Sequence, residues 1–209
     1  MPIIYLSPST QEWNEYVTGS GSEEYNMNLL ADALEPYLLS NGIQFRRNRP
    51  EMTAASSIRE ANSGYYDFYL ALHSNGAPEG RYGQERGIIV FYYPGSADGQ
   101  RAAELIAQEL REIYPLPNKV TTRATTTLGE VRQPRFPAVL VEIGYHDNYA
   151  DATWVEGHRP AVGPGADGVF RPALHLSHDT CGGHCDGQLR NIESAQLSLV
   201  HGNNPCQFA

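Results

Sequence analysis

Strand-like and helix-like segments alternate through about the first 150 residues, and this alternation constrains the fold more than any other feature. Short apolar or β-branched runs alternate with amphipathic stretches such as the one whose apolar positions recur at helical spacing from Met27 to Leu38. Such alternation is typical of α/β layer folds, in which helices pack on a mostly parallel sheet. The predicted strands are Ile3–Leu6, Ile43–Arg47, Asp67–His73, Gly87–Tyr93 and Ala138–Ile143, and we interpret Leu116–Gln133 as mostly loop.

The chain of 209 residues, 41% of them hydrophobic, is long enough to bury one core of ordinary domain size. We predict one domain over residues 1–154 and an irregular C-terminal tail over 155–209, where Pro, Gly and His become frequent and periodicity disappears. The three cysteines, Cys181, Cys185 and Cys206, all lie in this tail. Their disulfide state is open, and their spacing with the nearby histidines matches no standard zinc motif.

Charge and hydropathy narrow the classes of partner. A net charge of −9 argues against binding nucleic acid or anionic lipid, because phosphates would be repelled. No run of eighteen apolar residues predicts a membrane span, and the N-terminus lacks a signal-peptide pattern. A cytoplasmic protein, a phage-type lysin and a domain of a longer precursor all remain open, and a monomer is the default expectation.

Three residues are candidates for chemistry. The stretch Ser20-Gly21-Ser22-Glu23 fits a capping box, so Glu24 falls in the first helical turn, where a carboxylate is also favoured by the helix dipole alone. His73 ends an apolar strand, although a lone histidine is often a hydrogen-bonded structural residue. Glu142 lies inside an apolar strand and needs a compensating cation, metal or donor.

Together these residue types suggest metal-assisted hydrolysis of an amide. A carboxylate and an imidazole, here Glu24 and His73, can bind zinc. A second carboxylate with a raised pKa, here Glu142, can take a proton from water and return it to the leaving amine. Spacing alone supports this weakly, because no compact metal-binding signature is present.

The order of motifs resembles a known family. The segments Glu24-Tyr25-Asn26-Met27-Asn28-Leu29, Leu72-His73-Ser74-Asn75 and Val141-Glu142-Ile143-Gly144-Tyr145, with Arg59 and Asn148, are similar to the zinc amidases that separate N-acetylmuramic acid from L-alanine in peptidoglycan. The resemblance covers residues 2–154. It implies an α/β fold with a central mixed sheet. It also implies zinc held partly by Glu24 and His73, with Glu142 as the catalytic acid and base. The implied partner is peptidoglycan, and the implied place of action is the bacterial cell wall.

One motif departs from the family. Where the resemblance implies a first zinc-binding histidine, the sequence reads Leu6-Ser7-Pro8-Ser9-Thr10-Gln11, so Thr10 or Gln11 stands at that position. Neutral hydroxyl and amide oxygens are poor zinc ligands. His146 is a possible replacement ligand, while Asn75 and Arg59 are possible substrate contacts. Two alternatives stay open: a catalytically inactive wall-binding module on the same fold, and a hydrolase for a different amide.

Overall fold

A computed structural model describes the backbone of residues 1–162 and the side chains of residues 1–159. It contains one six-stranded sheet with the order β2-β1-β3-β6-β4-β5. The strands are β1 Ile3–Pro8, β2 Gln44–Arg47, β3 Phe68–Asn75, β4 Ile88–Tyr92, β5 Val120–Ala124 and β6 Ala138–Tyr145; the α-helices are α1 Glu23–Ser40, α2 Ala54–Ser63, α3 Ala97–Ile113, α4 Gly129–Arg132 and α5 Tyr149–Val162. The tail from residue 163 onward, with its three cysteines, lies outside the described residues.

The sheet is mixed and mostly parallel. Strands β2, β1, β3 and β6 run parallel to their neighbours, as do β4 and β5, whereas β4 pairs with β6 in the antiparallel direction. Parallel strands need crossover connections, and the helices between them supply these. The predicted fold class, a central mixed and mostly parallel sheet with helices on both faces, is confirmed.

The larger core lies between one face of the sheet and helices α1, α3 and α5. Helix α1 contributes the apolar stripe predicted from its sequence, with Met27, Leu30 and Leu34 fully buried. Alternate strand residues such as Leu70 and Leu72 meet this stripe, because successive side chains of a strand point to opposite faces.

The smaller core lies on the opposite face, under helices α2 and α4. Tyr69 and Ala71 of β3 point to this face, where the ring of Tyr69 stacks on that of Tyr5 with centroids 5.3 Å apart. Following the same alternation, His73 belongs to this face too. The strand therefore places its histidine on the side of the sheet that the two shorter helices cover.

Three local predictions need correction. Helix α1 is capped by Ser22 and begins at Glu23, two residues later than a cap at Ser20 would give. The stretch Leu116–Gln133 is not mostly loop, since it holds β5 and α4. Periodicity does not end at Trp154, because α5 runs to Val162 and buries Val155.

In the part of the chain that is described, no helix is long and apolar enough to cross a membrane.

Candidate active site

His73 and Glu142 face each other across neighbouring parallel strands. Their Cα atoms are register partners in the pairing of β3 with β6, just before a register shift between His73 and Asn75. Both side chains lie on the face covered by α2 and α4, because they continue the alternation of Ala71 and Leu140. Polar groups at the carboxyl ends of parallel strands are where α/β folds place their ligands.

The first residue of α1 brings a second carboxylate to His73. Glu23 is fully buried, and its Oε1 lies 2.9 Å from His73 Nδ1. Its Oε2 accepts a hydrogen bond of 2.7 Å from the Asn14 side chain, and the Ser74 backbone N–H lies 3.3 Å from Oε1. Burial raises the pKa of Glu23, but the hydrogen bond and charge of His73 lower it by more than burial raises it, so the net shift of the pKa is downward. Glu23 is therefore held ionised.

The carboxylate that contacts His73 is thus Glu23, one residue before the predicted Glu24. Successive helical residues point about 100° apart, so only one of the two can face the sheet. Glu24 instead lines an open cleft beside His73, and burial together with the charge of Glu12 raises its pKa. The apolar stripe sets the phase of α1 and puts Glu23, four residues before Met27, on the buried face, whereas Glu24 is not on that face.

Gln11 is the third group on the same side of the imidazole. Its side-chain Nε2 lies 3.3 Å from His73 Nδ1 and 3.4 Å from Glu23 Oε1. Thr10 lines the adjacent cleft. Gln11 therefore occupies the place beside Glu23 and His73 at which the resemblance implied a histidine.

The remaining predicted contacts are spread around the cluster. His146 Nδ1 lies 3.3 Å from the Ser74 carbonyl oxygen, and among the described side chains no hydrogen bond joins it to Glu23 or His73. Asn75 shares a cleft with Glu142. Arg59 is exposed on α2, and no ion pair joins it to Glu142 among the described residues. The structure places Gln11 and Glu142 each beside His73, whereas no hydrogen bond or ion pair joins Arg59 or His146 to His73 among the described residues.

Glu142 carries an enclosed carboxylate oxygen. Its Oε2 has no hydrogen-bond partner among the described residues. Burial raises the pKa of Glu142 to about 7; the charge of His73 lowers it, and those of Glu23 and Glu130 raise it. A carboxyl group poised near neutral pH can both accept and return a proton, which is the property that a general acid and base needs.

A third carboxylate, Glu130, was not among the residues predicted from the sequence. It lies on α4, and its Oε2 is 2.9 Å from His73 Nε2, so the imidazole is held between Glu130 and Glu23. The hydrogen bonds to the two carboxylates outweigh burial and raise the pKa of His73 well above its usual value. The only sequence signal for α4 is the apolar spacing of Leu128 and Val131, which is too short to predict a helix.

Two clefts open on this cluster. One, of about 520 Å³, is lined by His73, Gln11, Glu24 and the largely exposed Trp13. The other, of about 370 Å³, is lined by Glu142 and Asn75 together with Arg123 and several threonines. A substrate thus has room on both sides of the histidine and glutamate pair.

The donor set offers zinc two ordinary ligands and one poor one. Carboxylate oxygen and imidazole nitrogen, here Glu23 and His73 Nδ1, are ordinary zinc ligands, and the amide of Gln11 is a poor one. No group of three His, Cys, Asp or Glu side chains suited to a metal ion occurs within the described part of the chain. The carboxylates around one imidazole nevertheless leave the cluster acidic, which favours a divalent cation.

The chain matches a known family over most of its length. Residues 11–159 match the family model described as N-acetylmuramoyl-L-alanine amidase. No sequence match to a curated protein reaches significance.

Similar solved structures come from the same class of enzyme. An N-acetylmuramoyl-L-alanine amidase from Clostridium difficile 630 has a TM-score of 0.71 at 16% identity, with 87% of this chain and 98% of that chain covered. AmiC2 of Nostoc punctiforme gives a TM-score of 0.66 at 15% identity, covering 84% of this chain and 94% of that one. The catalytic domain of the CD27L endolysin targeting Clostridia Difficile gives 0.65 at 19% identity, covering 84% and 98%. At these identities the likeness shows the fold.

Proposed function

The chain belongs to the family of N-acetylmuramoyl-L-alanine amidases, and from this premise we propose that Glu142, His73 and Glu23 carry out the family's reaction. That reaction is hydrolysis of the amide between N-acetylmuramic acid and L-alanine in peptidoglycan, so the chain is a cell-wall amide hydrolase. The observation that carries the assignment of residues is the enclosed Glu142 carboxylate, poised near neutral pH opposite His73.

In this proposal Glu142 moves the protons. The ionised carboxylate takes a proton from the attacking water and then delivers it to the nitrogen of the departing alanine, so that one group acts first as base and then as acid. A pKa of about 7 suits both steps, because the group gains and loses the proton at little cost near neutral pH.

We further propose that zinc is the cofactor and that Glu23 and His73 hold it, with Gln11 beside them. When bound, zinc polarises the scissile carbonyl and lowers the pKa of water. Glu23 is suited to this role because it is already ionised and fixed by Asn14 and the Ser74 N–H. The weak third ligand leads us to expect lower zinc affinity than three strong ligands would give.

An inactive wall-binding module is not favoured. A binder would gain nothing from a carboxylate oxygen buried without a partner, since such a group costs free energy of folding. The alternative of a hydrolase acting on a different amide predicts cleavage of small peptides but not of purified peptidoglycan. Assays on small peptides and on purified peptidoglycan therefore distinguish this alternative hydrolase from the amidase.

Neighbouring glutamates give a matched test of the ligand assignment. We expect Glu23→Gln to lose bound zinc and to reduce peptidoglycan hydrolysis by at least about a hundredfold, because it removes an ionised ligand. Glu24→Gln changes the same residue type one position along the helix and should keep both properties. Zinc content by elemental analysis and hydrolysis with added zinc would be measured for both variants.

The reverse result would contradict the assignment. Loss of zinc and activity in Glu24→Gln with retention in Glu23→Gln would restore Glu24 as the ligand. Full activity of the wild type after exhaustive chelation would instead remove zinc from the mechanism.

A further inference from the structure

Glu130 is a buried carboxylate beside the site with both oxygens hydrogen-bonded, yet the proposed reaction does not use it. Its Oε1 accepts hydrogen bonds of 2.7 Å from both the Ser7 hydroxyl and the Tyr69 hydroxyl, and its Oε2 lies 2.9 Å from His73 Nε2. The side chain is almost completely buried. Asn48 extends the network, because its side-chain amide lies 3.4 Å from the Ser7 oxygen.

These contacts tie Glu130 to two central strands. Ser7 ends the apolar part of β1, while Tyr69 and His73 lie on β3, so α4 is held to the sheet by its carboxylate. With both oxygens engaged, Glu130 has little freedom to turn toward the clefts. Its position is therefore fixed behind the histidine, on the side of the ring opposite Glu23.

The consequence for His73 concerns which ring nitrogen is available. A carboxylate accepts hydrogen bonds but cannot donate them, so Nε2 must carry a proton to bond Glu130, and in the metal-free protein Nδ1 must likewise carry one to bond the ionised Glu23. A metal at Nδ1 would replace the second of these protons and leave the first. Nδ1 is then the nitrogen that faces Glu23 and Gln11. A carboxylate bonded to the far nitrogen of a ligating histidine fixes the tautomer and raises the basicity of the near nitrogen.

We propose that Glu130 is a positioning residue that orients His73 and strengthens Nδ1 as a metal ligand. The effect on metal binding rests on the proposed function, whereas the orientation of His73 by Glu130 does not. It gives a physical reason for a carboxylate in the core next to the histidine. A more basic Nδ1 would offset part of the metal affinity that the weak amide ligand of Gln11 costs.

The test compares Glu130→Gln with a matched buried carboxylate elsewhere. Asp151 is fully buried and bonded to Arg86, Tyr114 and two backbone amides, with no contact to His73. We expect Glu130→Gln to weaken zinc binding about 10- to 100-fold in a chelator-competition titration. Asp151→Asn should lower the melting temperature while leaving the zinc dissociation constant within about twofold of wild type.

A second readout needs no metal. In the metal-free protein, the His73 Nε2–H proton should appear as a strongly downfield NMR resonance in the wild type and in Asp151→Asn, and it should vanish or move upfield in Glu130→Gln. Should Glu130→Gln fail to fold, Tyr69→Phe removes one donor to Glu130. It should then shift the same resonance and weaken zinc binding several-fold.

The outcomes separate the two proposals. A resonance and a zinc affinity that are unchanged in Glu130→Gln, or in Tyr69→Phe if that variant is the one that folds, would overturn the positioning role. A wild type that binds no zinc but shows the Glu130-dependent resonance would support the orientation of His73 and contradict the metal-dependent function.

Discussion

Glu142 is a residue whose charge is costly in the folded protein. Its pKa rises from 4.5 to about 7 because its carboxyl group is removed from water, and the two nearby glutamates add to the effect. A pKa difference of one between the folded and unfolded chain corresponds to about 1.4 kcal/mol, so ionising Glu142 in the metal-free fold costs roughly 3 kcal/mol relative to the unfolded chain. The presence of Glu142 at this position is therefore explained by its proposed role in catalysis and not by a contribution to the stability of the fold.

This cost predicts how Glu142→Gln changes stability with pH. Between about pH 4.5 and 7 the native state keeps a proton on Glu142 that the unfolded chain has released, so wild-type stability falls as pH rises through this window. The amide does not titrate. In the presence of a chelator, Glu142→Gln should melt several degrees above wild type at pH 8 and within about a degree of it at pH 4.

Melting curves followed by circular dichroism would measure this difference. Equal melting temperatures of variant and wild type at pH 8 would mean that Glu142 is compensated by a group that the structure does not place near it.

At the scale of elements, the site depends on where β6 bends. Gly144 adopts φ +71°, and the pairing of β3 with β6 shifts register beside it, so that Asn75 pairs with Tyr145. A Cβ atom on Gly144 would lie 3.2 Å from the Asp151 Cβ and 3.3 Å from a Val155 methyl group. Both the backbone conformation and the packing of α5 thus require glycine.

Gly144→Ala should therefore destabilise the fold by about 1–3 kcal/mol and reduce activity through displacement of Glu142. Gly157→Ala is the control, since Gly157 lies in α5 with open space where a Cβ atom would lie, and alanine favours helix. It should leave stability unchanged or slightly raised. Urea unfolding would report both, and a stable Gly144→Ala variant would refute the requirement.

The elements also show where sequence reasoning works and where it stops. Long periodic segments such as α1 and the apolar strands β3 and β6 were predictable, because their side chains meet the core at a regular period. Edge strand β5 is largely exposed and polar, and α4 has four residues and no side-chain cap, so neither leaves a periodic pattern.

The residues of the candidate site divide in the same way, into those that the sequence pattern reveals and those that it does not. His73 and Glu142 end or interrupt apolar runs, which makes them visible in the sequence. Glu130 lies in α4 and could not be found that way. Glu23 makes the contact with His73, and its position four residues before Met27 on the apolar stripe of α1 favours it over the predicted Glu24.

At the scale of the molecule, the two cores are built from residues 4–155 and enclose the sheet on both faces. Helix α5 packs on α1 and β6, and its residues Ala152, Trp154 and Val155 complete the larger core. The predicted boundary at residue 154 would therefore cut through a core helix. That the segment beyond α5 is an irregular tail stays a prediction of the sequence.

A chain ending at Val162 should consequently keep the fold and the activity. We expect its melting temperature to lie within about 3 °C of the full chain and its hydrolysis of peptidoglycan to lie within about twofold, because both cores of the described residues lie within residues 4–155. A chain ending at Trp154 is the contrasting variant and should be markedly less stable. Insolubility of the Val162 variant would show that the C-terminal segment contributes to folding.

The most direct test of the proposed mechanism is release of new L-alanine amino termini from purified peptidoglycan by wild type and Glu142→Gln, with zinc supplied. We predict steady release by the wild type and a loss of about 10²- to 10⁴-fold in the variant, whose fold is intact by circular dichroism. A Glu142→Gln variant as active as the wild type would contradict the assignment of Glu142 as the group that moves the proton.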